Sequence, residues 1–188
     1  LVLPPLMKFF VSSFIAVSLF ACPALLRADH PVPGHSLNGE SFNEGPRQSA
    51  VLMGSTGQVK FPVSTKSAEA QKYFEQGVGQ FHGFWYFESE RSFRTAAALD
   101  PECAMAYWGM AMANVNNSNR AAGFIQHAHD LKTNASPAEG LWIEAYYDYF
   151  AGKKTPADRR KDLILALENI IQKDPDELEA KTFLAFQI

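Results

Sequence analysis

The stretch from Ser67 to Pro101, SAEAQKYFEQGVGQFHGFWYFESERSFRTAAALDP, constrains the fold more than any other part of the chain, because it reads as one complete two-helix repeating unit. Tyr73, Gly77, Phe93, Ala96 and Pro101 fall where a repeat of about 34 residues needs an aromatic, a close-contact glycine, a second aromatic, a small residue and a helix stop. Gly77 lets the first helix approach its partner, Phe93 and Ala96 fill the gap between them, and Asp100-Pro101 ends the second helix. Ser67 supplies the opening cap. A chain built this way is read for a binding surface before a catalytic constellation.

The register continues downstream. Tyr107 follows Tyr73 by one repeat length, so a second unit opens at Ala104 with AMAYWGMAMANV as its first helix. Asn116 to Asn119 make the turn, and Arg120 to Lys132 the second helix, with His127 and Asp130 where Phe93 and Ala96 stood. Ser136-Pro137-Ala138-Glu139 combines a capping serine, a first-turn proline and a glutamate three residues after the cap. Trp142 lies one repeat beyond Tyr107, Gly152 closes its helix, Thr155-Pro156 opens the next, and Asp174-Pro175 ends it. ELEAKTFLAFQI begins a fourth unit that stops inside a helix at Ile188, which predicts that a longer protein continues from here. The expected fold class is all-α over residues 67–188.

Upstream the composition changes. Met7-Lys8 followed by the apolar run from Phe9 to Leu26 predicts a secretory signal over residues 1–28, with initiation at Met7 and cleavage near Ala28. An uncleaved anchor and a lipoprotein acylated at Cys22, which follows Leu19-Phe20-Ala21, are the alternatives. Either way the protein is expected to be exported, to the periplasm, the cell envelope or beyond. Cleavage would remove Lys8 and Arg27, leaving 15 basic against 20 acidic residues, a net charge of −5. That is a poor match for nucleic acid, whose affinity rests on cations neutralising phosphates. Only Cys103 would remain, so packing rather than an intrachain disulfide holds the fold. Residues 29–66 read as a Pro- and Gly-rich lead-in, in which Val59 to Val63 could lie extended against the first helix; Pro62 bars it from a central strand.

The blocks QGVGQFHGFWYFESERSFRTAAALDP, CAMAYWGMAMA and SPAEGLWIEAYYDYF resemble exported bacterial tetratricopeptide-repeat (TPR) proteins of a planctomycete-like kind. The likeness covers about Ser67 to Ile188 and implies a TPR-type α-solenoid, a superhelix of antiparallel helix pairs with a concave groove lined by the first helix of each pair. It implies binding and no reaction.

Residues three or four apart share one helix face, so the groove is expected to carry Gln71, Phe74, Val78 and His82 in the first unit. Met105, Trp108, Met112 and Asn116 follow in the second, and Ile143, Tyr147 and Phe150 in the third. Aromatic and methionine side chains suit an adaptable peptide-binding surface, although the same residues could equally pack helix against helix. His82 and Asn116 gain nothing from a dry interface and read as ligand contacts. No metal is expected: His30, His35, His82, His127 and His129 show no ligand spacing. No cofactor is expected either, since Cys-x-x-Cys-His is absent and Gly77-Val78-Gly79 lacks the strand and third glycine of a nucleotide loop. The expected function is a non-catalytic scaffold that takes a peptide or partner protein in the groove. The alternative is the accessory region of an envelope enzyme whose catalytic part lies beyond Ile188.

Overall fold

The computed structural model of the chain describes residues 44–188. The expected signal segment, Cys22 and the histidines at 30 and 35 lie outside the described residues. Among the described residues the fold is all-helical, with no strand. Seven α-helices follow one another: α1 (Ala68–His82), α2 (Tyr86–Leu99), α3 (Ala104–Met112), α4 (Ser118–Asp130), α5 (Pro137–Ala151), α6 (Pro156–Lys173) and α7 (Leu178–Ala185). A 3₁₀ turn at Lys132–Asn134 separates α4 from α5.

Side-chain caps set most of these starts. The Ser67 hydroxyl accepts the Ala70 N–H at 3.1 Å, the Thr155 hydroxyl accepts from Asp158, and Ser136 with Glu139 forms a complete capping box. Asp100 and Asp174 end α2 and α6 in extended conformation, each before a proline that cannot continue the helix. Two boundaries differ from the sequence expectation. α3 stops at Met112, and α4 begins at Ser118 rather than Arg120, because the Asn117 side chain caps it by accepting the Arg120 N–H. Asn116 therefore stands in the turn beyond α3, exposed, and not on the helix.

Consecutive helices pack pairwise, α1 on α2, α3 on α4 and α5 on α6, and each pair packs on the next. Successive first helices, α1 with α3 and α3 with α5, also touch. Between the pairs, the ring of Phe93 meets two glycines. A Cβ at Gly77 would stand 2.7 Å from the Phe93 ring, and one at Gly109 would be closer still. Both first helices thus press their bare backbones on one aromatic side chain, which is 1% exposed.

The first helices turn their large side chains into a common core. Trp108, fully buried, packs edge-on against Phe61, Trp142, Tyr146 and Phe183, with ring centroids 5.5 to 5.8 Å away. Two elements close over it. The lead-in supplies Phe61, and α7 supplies Phe183, which also stacks on Phe81 of α1 at 5.3 Å. Because of them, Phe74, Val78, Met105, Trp108, Met112 and Ile143, each 1% exposed or less, are core residues and not the lining of an open groove. Phe150 is nearly as enclosed at 8%. Their helical spacing was that of a packing face.

Candidate functional site

The inner face of the first helices is the surface on which function was expected, and the structure divides it into two parts. One is covered by the chain's own lead-in, the other is bounded by α7.

The lead-in enters over the first pair. The guanidinium groups of Arg94 and Arg120 donate to the Glu44 carbonyl at 2.7 and 2.8 Å while both also bind the buried Glu90 carboxylate. Asn114 donates to Glu90 Oε2 at 3.0 Å, beside an Arg120 N–H, so both oxygens of the buried carboxylate are hydrogen-bonded. Farther along, the Ala50 N–H donates to the Thr95 hydroxyl and the Gln76 side chain receives Met53 N–H while donating to Val51 O. The segment crosses α1 at Gly79, where any Cβ would strike the Thr56 carbonyl.

From Phe61 to Lys66 the chain runs across the ends of three helices and is clasped by side chains from each. The Gln71 amide of α1 bridges the main chain, donating to Phe61 O at 2.9 Å and accepting from Val63 N at 2.9 Å. Glu139 of α5 receives the Ser64 N–H on Oε1 and the Ser64 hydroxyl on Oε2, both at 2.5 Å, and Oε2 also completes the capping box by accepting the Ser136 N–H. Asp100, which caps α2, accepts from the Thr65 hydroxyl at 2.6 Å and the Lys66 N–H at 2.7 Å. Burial pushes the Asp100 carboxyl up, but these donors and the Glu102 N–H outweigh it and hold it below the usual aspartate value. At the centre Phe61 sits in a box of Phe74, Trp108 and Trp142, 5.3 to 5.8 Å between ring centroids.

At the other end, α7 reaches back to α1. His82 Nε2 and Glu179 Oε2 are 2.6 Å apart, and the imidazole stacks on Phe186. His82 is therefore half-buried in an internal contact and does not project beside Asn116 as expected. Tyr147 is half-buried at the edge of the core, stacked on His129 at 4.1 Å with its hydroxyl donating to Gln126. Between α1, α3, α5 and α7 a cavity of about 230 Å³ remains, walled by aromatic side chains.

The repeat positions take structural places: Tyr73 is half-buried against the core, Tyr107 packs edge-on against His127 at 4.3 Å, Trp142 closes the Phe61 box, and Ala96 is fully buried. Pro101 and Pro175 are exposed at the helix stops. Burial pushes the Cys103 thiol up to about 11, which leaves it protonated and unreactive. Among the described residues no group of His, Cys, Asp or Glu is arranged to hold a metal ion, and no helix is long and apolar enough to cross a membrane.

Sequence reasoning missed Phe61, the double duty of Glu139 and Asp100, and the reach of α7. The one available signal was an isolated aromatic in a Pro- and Gly-rich stretch, beside a helix whose first turn carries Gln71. Compared with protein families, with curated proteins and with solved structures, the chain gives no match.

Proposed function

We propose that the chain is an exported, non-catalytic scaffold of the TPR type that binds an extended segment of a peptide or partner protein along its first helices. The observation that carries this reading is the clasp on Phe61 to Lys66. Carboxylate and amide side chains from α1, the end of α2 and α5 hold main-chain N–H and C=O groups of that segment, and an aromatic box takes one side chain. Main-chain hydrogen bonds with one anchoring pocket are how helical grooves and sheet edges read extended peptides. Here the chain's own segment occupies the track. A partner sequence resembling Phe-Pro-Val-Ser-Thr would compete for it. The mildly acidic balance argues against nucleic acid as that partner.

The test uses the Phe61→Ala variant of the whole chain and a fluorescent peptide of residues 58–66. Emptying the box removes the anchor of the internal segment, so the peptide should bind the variant saturably and the wild type far more weakly. Adding Glu139→Gln should reduce capture again. A folded Phe61→Ala variant that fails to retain the peptide would remove the proposal.

A further inference from the structure

The clasp sits at the starts of α1 and α5, and at the other ends of these helices the surface has a different chemistry. The turn from α1 to α2 carries Phe84, Trp85 and Phe87, which are 63, 56 and 55% exposed. Single apolar side chains are common on a surface, but three large aromatics on one turn mark a contact site. The backbone holds them out. Phe84 adopts φ 61°, the left-handed region that a bulky residue avoids. It is fixed there because its N–H donates to Phe81 O and the Trp85 N–H donates to Gln80 O, both at 2.9 Å.

Cations gather beside this turn. From Lys153 to Asp162 the chain carries five basic residues, Lys153, Lys154, Arg159, Arg160 and Lys161, against Asp158 and Asp162. That is a local net of +3 in a chain whose whole balance is −3. Two contacts fix the run next to the aromatic residues: Arg159 donates to Tyr149 O at 2.5 Å and Arg160 to Gln187 O at 3.0 Å. Tyr149 and Gln187 line the same depression as Phe84 and Val115, and the ring of Phe186 lies 6.2 Å from that of Phe84. Lys154 pairs with Asp162, whereas Lys153, Arg160 and Lys161 are exposed and make no ion pair among the described residues.

We propose that this end of the molecule is a docking surface for an anionic phospholipid bilayer. Phe84, Trp85 and Phe87 enter the boundary between headgroups and acyl chains, and Lys153, Arg160 and Lys161 meet the headgroup charge. Exposed aromatics flanked by cations suit a membrane interface, the apolar area supplying burial and the basic residues the preference for anionic lipid. The acidic remainder of the chain is repelled by the same surface, which orients the protein with this end down. Rings more than half exposed have no wall around them, so they form no pocket in which a protein partner's side chains would seat. Lipid needs none, because it deforms around what projects into it.

Trp85 reports the contact directly, since the other two tryptophans, Trp108 and Trp142, are buried. The 188-residue chain is titrated with vesicles of phosphatidylcholine and phosphatidylglycerol in equal parts, with and without brominated acyl chains. Trp85 emission should shift to the blue and be quenched by the brominated lipid. Lys153→Gln combined with Lys161→Gln should raise the lipid concentration needed about 25-fold, or about fivefold for each cation removed. Phe84→Asn, which suits a left-handed backbone, should weaken the response about tenfold and melt no lower than wild type. Vesicles that carry the chain down while Trp85 stays unshifted would show attachment through the apolar run from Phe9 to Leu26 alone, and would overturn the proposal. So would an equal response to phosphatidylcholine alone, or one unmoved by the lysine changes. A blue shift that grows with protein concentration in the absence of lipid would also overturn it, by placing a second copy of the chain over the turn.

Discussion

His82 in α1 and Glu179 in α7 are 97 residues apart in sequence and 2.6 Å apart in space, so the last helix is tied to the first. The pair is shielded, with side chains 22% and 11% exposed, and is flanked by Phe81, Phe183 and Phe186. An exposed groove histidine could be truncated with no effect on melting. This one cannot.

His82→Ala should therefore lower stability by about 1 to 3 kcal/mol, because it strands the Glu179 carboxylate in a largely apolar corner. Combining it with Glu179→Ala should cost less than the sum of the two single changes. Urea titrations of the four proteins measure the coupling. Strict additivity would show that the two side chains act separately.

Gly77→Leu should destabilise the fold. Leucine suits a helix better than glycine by up to about 1 kcal/mol, but its side chain would be driven into the Phe93 ring, and overpacking of this kind costs about 1 to 3 kcal/mol. Packing should win, because Gly109 presses on the same Cδ1–Cε1 edge of the ring and restricts how far it can yield. Trimming the ring with Phe93→Leu should recover part of the loss. A Gly77→Leu protein that melts at or above the wild-type temperature would contradict the close contact.

The helical framework was largely legible in the sequence, since caps such as Ser67, Ser136-Glu139 and Thr155 act through bonds within three residues, and Asp-Pro stops are equally local. The face exposed by each first helix was not. In AMAYWGMAM every residue of α3 is buried, so no period separates a groove side from a packing side. What covers the inner face is set by contacts between residues far apart in sequence, Phe61 with Trp142 and Phe81 with Phe183, and no local pattern encodes them. Reading Val59 to Val63 as extended chain laid on the first helix came nearest, and Gln71 is the residue that holds it there.

Acid should loosen the lead-in. With its value held below that of an unfolded aspartate, Asp100 contributes stability that is fully present above the ordinary carboxylate range, and that contribution is lost as pH falls through the lowered value. Below about pH 4 the bonds from Thr65 and Lys66 weaken accordingly. Asp100→Asn should melt lower than wild type at pH 7 and show a smaller further drop between pH 5 and pH 3. Parallel pH profiles of the two proteins would count against this role for Asp100.

Glu139 should be the costliest polar residue to remove from the clasp, because one carboxylate, 4% exposed, serves two elements. Toward α5 it completes the capping box by accepting the Ser136 N–H at 2.6 Å. Toward the lead-in it accepts both donors of Ser64. Losing a cap costs about 1 kcal/mol, and hydrogen bonds to a charged group contribute about 1.5 to 3 kcal/mol. Glu139→Ala should thus cost about 3 kcal/mol, against about 1 for Ser136→Ala, which breaks only the cap. Ser64→Ala should fall between them, and in the Glu139→Ala background it should have almost no further effect, since its partner is already gone. Equal losses for Glu139→Ala and Ser136→Ala would mean that the carboxylate serves the helix alone and that the lead-in is held by Phe61 and Asp100 without it.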